Sequence, residues 1–172
     1  MKMKKVIFTV IAAGLLTAGI SLFINEDRTF KSVCDSFRAG TYEEEPLTMN
    51  EAATFLSETA VARAKDFTSF SDVEKEDRFF VFDFGSKVSG YSIFSSLKTY
   101  CSKKGGKDSG GVLIWRDKDS VFTASLIGPV LTISQGQNEM DMFAMQDALI
   151  TEMKYIPHVR KRAHPTETAE AE

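Results

Sequence analysis

The first twenty-four residues constrain everything that follows them. Three lysines, Lys2, Lys4 and Lys5, lead into Val6 to Ile24, nineteen residues without a charge. A basic start joined to an apolar run is the pattern of a segment handled by an export pathway. Two forms of it fit. A cleaved signal would use Val6 to Ala18 as its apolar run and Gly19 and Ser21 at the cut, although no Ala-x-Ala site is present. An uncleaved anchor needs roughly 20 apolar residues, with a lower limit of about 17, and Leu22, Phe23 and Ile24 bring the run into that range. A buried core helix fits less well, because lysines and apolar run are contiguous and terminal. In both export forms the lysines stay in the cytoplasm and Asn25 onward is translocated. The expected location is the inner membrane, single-pass with a periplasmic domain, or the periplasm or exterior if the leader is cut. No second long apolar run follows.

This placement bears on the cysteines. The chain has two, Cys34 and Cys101. In an oxidising compartment an even pair reads as a disulfide, worth about 4 kcal/mol for a loop of this length. A Cys34–Cys101 bridge is therefore expected. Charge supplies an exclusion. Without the leading lysines, 18 basic side chains face 24 acidic ones, and such a body has no general attraction to nucleic acid. Fourteen phenylalanines against one tryptophan suit a packed core.

Periodicity divides the remainder. Phe30, Val33, Cys34 and Phe37 make one helical stripe over Thr29 to Arg38. Glu43, Glu44, Glu45 and Pro46 read as a solvated connector. Thr48 and Glu51 form a capping box opening a helix to Phe67, with Met49, Ala53, Leu56, Ala60, Ala64 and Phe67 on one face. Arg78 to Phe84 is a strand, and Tyr91 to Lys103 a helix carrying Phe94, Leu97 and Cys101. Val112 to Arg116, Val121 to Ile127 and Val130 to Ser134 form a meander. Asn138 caps a last helix ending before Pro157. The expected fold class is α+β: a small antiparallel sheet of about four strands packed with helices, behind the N-terminal signal or anchor helix. The expected divisions are 1–24 for the leader, 25–157 for one extracytoplasmic domain and 158–172 for a polar tail. This order of elements is similar to that of profilin-like and roadblock-type domains, which also set a small antiparallel sheet between helices; the likeness is one of order alone and implies no activity.

No catalytic or cofactor motif survives inspection. Asp108-Ser109-Gly110-Gly111 is similar to the nucleophile segment of chymotrypsin-type serine proteases. That chemistry needs a histidine base preceding the serine, and His158 and His164 both follow it. The string reads as a glycine turn. Gly106-Lys107 lacks the flanking residues of a phosphate loop. Two histidines and two scattered cysteines give no zinc pattern, and Cys101 with His158 is a poor thiol–imidazole pair once Cys101 is bridged. Met140, Met142 and Met145 bear thioethers that suit Cu(I), but Met142, Met145, Leu149 and Met153 also make a core stripe. Arg160 to Arg162 is short for a lipid or acidic-partner patch. Asp83, in an apolar strand, and Glu51 are the acids that a small carboxylate hydrolase would use. The expectation is a non-catalytic envelope protein, without cofactor, that binds a protein partner as inhibitor, immunity protein or accessory subunit and meets the membrane through its N-terminal segment. The alternatives are a periplasmic carboxylate hydrolase and a Met-rich copper binder.

Overall fold

The computed structural model describes residues 29–40, 42–72 and 74–155. The leader and the polar tail lie outside them, and among the described residues no helix is long and apolar enough to cross a membrane. A helix over 29–38 (α1) comes first. Strand β1 (Glu43–Glu45), short helices α2 (Met49–Phe55) and α3 (Glu58–Val61), and a hairpin of β2 (Asp66–Asp72) and β3 (Asp77–Asp83) follow. Helix α4 (Lys87–Lys103) leads to β4 (Lys107–Ser109), β5 (Val112–Asp117), β6 (Ser120–Ile127) and β7 (Val130–Gly136), and α5 (Glu139–Tyr155) closes the order. The strands pair antiparallel in one sheet, β1-β2-β3-β7-β6-β5-β4.

Seven strands in place of about four correct the expected fold class. The largest departure is β2. A single helical stripe from Thr48 to Phe67 accounts for the apolar spacing, but the chain breaks earlier. Thr48 and Glu51 do form the capping box. Leu56 is nonetheless extended, and the Ser57 hydroxyl accepts from the Ala60 N–H to start a separate short helix. The Lys65 N–H then donates to the Asp83 carbonyl at 2.7 Å, and the next residues pair with β3. In β2, Phe70 faces one side of the sheet, while Phe67 packs against the cluster on the other. Strand β1 is the acidic run read as a connector; its backbone pairs with β2 while its carboxylates stay outside. Strand β4 is part of the segment read as a glycine turn. Both edge strands are three residues long and mostly exposed, and their charges discourage pairing with a further chain.

Alternation in β3 explains the two layers. Phe80 and Phe82 join Leu113, Trp115, Ala124, Leu131 and Ile133 beneath α2, α3 and α4. Their sequence neighbours Phe79 and Val81 join Phe70 and Val130 beneath α1 and α5. Phe37 of α1 stacks on Phe70 with centroids 4.9 Å apart, and Tyr42 meets Phe79 edge-on at 5.0 Å. Residues one apart in a strand point to opposite faces, so a strand apolar on both must be covered twice.

The α5 layer also holds buried polar side chains. Thr123 and Ser125 of β6, Thr132 and Ser134 of β7, and Gln146 of α5 are each at most 2% exposed. The Gln146 Oε1 accepts from Ser125 Oγ at 2.6 Å and Thr132 Oγ1 at 2.7 Å, and its Nε2 donates to Ser134 Oγ at 3.2 Å. Ser134 shares a hydrogen bond with Thr123, whose hydroxyl also donates to the Met142 carbonyl at 3.3 Å. Among the described residues no buried side-chain N or O is left without a partner. One glutamine thus fixes the position of α5 over two strands. Gln146→Leu keeps the volume but strips partners from buried hydroxyls, and should cost about 2–4 kcal/mol in urea unfolding.

Candidate binding cleft

The helical layer over the Phe80 face is incomplete. α2 is seven residues long and α4 seventeen, and a cleft is lined by residues from the C-terminal part of each. Thr54 in the last turn of α2 forms one side and Tyr100 in the last turns of α4 the other. Trp115, Phe122 and Gln135 form the floor. They are cross-strand partners on β5, β6 and β7, and the row continues to Arg78 on β3. The β5–β6 turn closes one end with Asp117, Lys118 and Ser120. The volume is ≈ 300 Å³, at the small end of ligand pockets.

Aromatic rings shape this space. Trp115 stacks on Phe122 with centroids 5.4 Å apart and planes 12° from parallel. Tyr100 stands perpendicular to Trp115 at 6.3 Å and is 41% exposed. Polar groups order the rim. The Lys104 ammonium lies 5.6 Å from the Tyr100 ring centroid and 3.1 Å from Asp117 Oδ1. The Tyr100 hydroxyl donates to Asp117 Oδ2 at 3.5 Å, and Gln135 Nε2 donates to Ser120 Oγ at 3.3 Å. The hydrogen bond to Asp117 raises the Lys104 pKa above the ordinary lysine value. The Asp117 carboxylate is thereby engaged, and among the described residues the lining brings hydroxyls but no imidazole or thiol.

The residues singled out from sequence do not converge here or elsewhere. Cys34 packs with Phe37 and Val33 on the α1–α5 side, whereas Cys101 packs with Leu97 and Trp115 on the opposite side. Both are free thiols, which corrects the expected bridge: the sheet stands between them. The helical stripes did bring each cysteine to an apolar face, but to different faces. Burial pushes the Cys34 thiol up to about 12 and raises Cys101 as well. Asp83 accepts from the Gly85 N–H at 2.8 Å, holding a turn in which Gly85 has φ +68°. Glu51 is committed to its cap, accepting from the Thr48 N–H at 3.0 Å. α2 covers the Phe80 face and Asp83 alternates onto the Phe79 face, so these two acids do not share a site. Asp108 pairs with Lys98 at 2.7 Å and accepts from the Gly111 N–H, so the Asp-Ser-Gly-Gly string is the β4–β5 turn. Met142 is buried while Met140 is 79% exposed, and the two sulfurs face apart. His158, His164 and Arg160 to Arg162 lie outside the described residues. Among the described residues no group of three or more His, Cys, Asp or Glu is placed to hold a metal.

Sequence reasoning missed the cleft itself. Its only signal was a lone tryptophan in a strand, because Thr54 and Tyr100 lie about 45 residues apart in the chain. No family model, curated protein or solved structure matches this chain.

A carboxylate pair stands apart from the cleft. Asp72 and Asp77 are directly opposite in the β2–β3 hairpin, and both are buried. Desolvation first, then the Asp72 charge, raises the Asp77 pKa. A raised folded-state pKa means the native state holds the proton more tightly than the unfolded chain, so stability is lost as pH rises through it. Asp77→Asn should therefore stabilise the fold near neutral pH, with the gain vanishing on acidification below the ordinary aspartate range; urea midpoints across pH measure this. For the thiols, a colorimetric titration without reductant should find none reactive in the native protein and two per chain after unfolding.

Proposed function

We propose that this protein is a non-catalytic binding module of the cell envelope, delivered by its N-terminal segment, and that the cleft between α2 and α4 is where it holds a protein partner. The observation that carries this reading is a cleft lined by the exposed Tyr100 ring and the half-buried Phe122, with the buried Trp115 stacked behind Phe122. Aromatic anchors seated in a pocket carry much of the binding energy at interfaces. The hydrolase alternative has less support, since Asp83 and Glu51 each hold local backbone and lie on different sides of the sheet.

The test is site-specific photocrosslinking in intact cells. A photoreactive residue at Tyr100 should give a defined protein adduct that disappears when Phe122→Asp is added. The same residue at Met140, exposed on the other side of the molecule, should give none. Equal adducts from both positions would remove the cleft from the reading, and turnover of an envelope substrate by the purified chain would remove the non-catalytic role.

A further inference from the structure

The cleft has more hydrogen-bond donors than the protein uses. Trp115 is 95% buried (5% exposed), yet its indole N–H has no acceptor among the described residues and is not sealed from solvent. Lys118, held in a left-handed turn conformation at φ 54°, makes no ion pair among the described residues. Ser120 accepts from Gln135, so its own hydroxyl hydrogen remains to be given. Asp117, the acid in the lining, is occupied by Lys104 and Tyr100. Three residues with spare donors, one of them cationic, thus line the same space as the Tyr100 and Phe122 rings.

We propose that this cleft captures the C-terminus of a polypeptide, seating the last residue's apolar side chain against Phe122 and Tyr100 and its α-carboxylate on Lys118, Ser120 and the Trp115 N–H. The inference rests on the binding reading above and names what is bound. A carboxylate accepts several hydrogen bonds in one plane and suits a small cluster with a single cation. Among protein groups, only the α-carboxylate sits one bond from the carbon bearing an apolar side chain. Aspartate and glutamate carboxylates would bring no such side chain to the rings. The volume of ≈ 300 Å³ suits one or two residues. The exposed Tyr100 leaves the cleft open on one side, so the rest of the chain can leave it. Terminal carboxylate capture of this kind is a recurrent mode of peptide recognition.

The chain has one tryptophan, so its emission reports on the cleft alone. The full chain would be titrated with a short peptide ending in phenylalanine, as free acid and as amide. The free acid should shift the emission and bind about tenfold tighter than the amide, as expected for losing one charge-assisted contact. Lys118→Gln should erase that difference and leave amide binding unchanged, with an unaltered melting midpoint as the check on folding. N-acetylphenylalanine should bind more weakly than the peptide, and glucuronate should not displace it. Equal affinity of acid and amide would overturn the proposal. So would N-acetylphenylalanine binding as tightly as the peptide, which marks a small aromatic acid as the ligand, or displacement by glucuronate, which marks a glycan. If any of these occurs while the Tyr100 crosslink persists, C-terminal capture falls and the binding role stands; if the crosslink is also absent, both fall.

Discussion

The structure depends on a strand with no polar face along its central run. Phe79, Phe80, Val81 and Phe82 are each at most 2% exposed, and consecutive members point to opposite sides. Burying one such ring contributes about 1.5–3 kcal/mol, and the gain exists only if both sides are covered. Helices therefore have to lie on both faces of the sheet. α1 and α5 cover one side, and α2, α3 and α4 the other. The cleft is a consequence of how unevenly the second group does so: α2 stops at a capped break, and the Phe122 ring of β6 near its end is only half covered.

What could be read in the sequence was what local chemistry decides. The capping box at Thr48, the helical stripe through Cys34 and Phe37, the alternation of β3 and the Asn138 start of α5 are local signals, and the elements stand where those signals put them. Strands β1, β2 and β4 were hidden because their strand character comes from partners. Glu43 to Glu45 has nothing strand-like in its side chains, yet its backbone finds the edge of β2. The start of Asp66 to Asp72 shares its apolar spacing with a helix that was already well started, but that helix ends at the extended Leu56 and Ser57 caps a separate short one.

The polar residues of β6 and β7 carry a related lesson. Thr123, Ser125, Thr132 and Ser134 give those strands the alternation of a half-solvated sheet, and such a face is ordinarily read as wet. A single glutamine on a distant helix turns it into an interior surface by answering the hydroxyls it covers. The cleft was illegible for a similar reason. Trp115, Phe122 and Gln135 become neighbours through strand register, and Thr54 and Tyr100 flank them only once the layers have packed. No spacing along the chain encodes that meeting.

Two sulfhydryl groups separated by a β-sheet have a bearing on biogenesis. The native arrangement includes no covalent tie between distant parts of the chain, so maturation does not wait for an oxidase or an isomerase to find a correct pairing. Its compactness comes from apolar layers and the buried Gln146 network, and neither is a covalent cross-link. With one thiol buried on each face, the cysteine count no longer argues for an oxidising compartment.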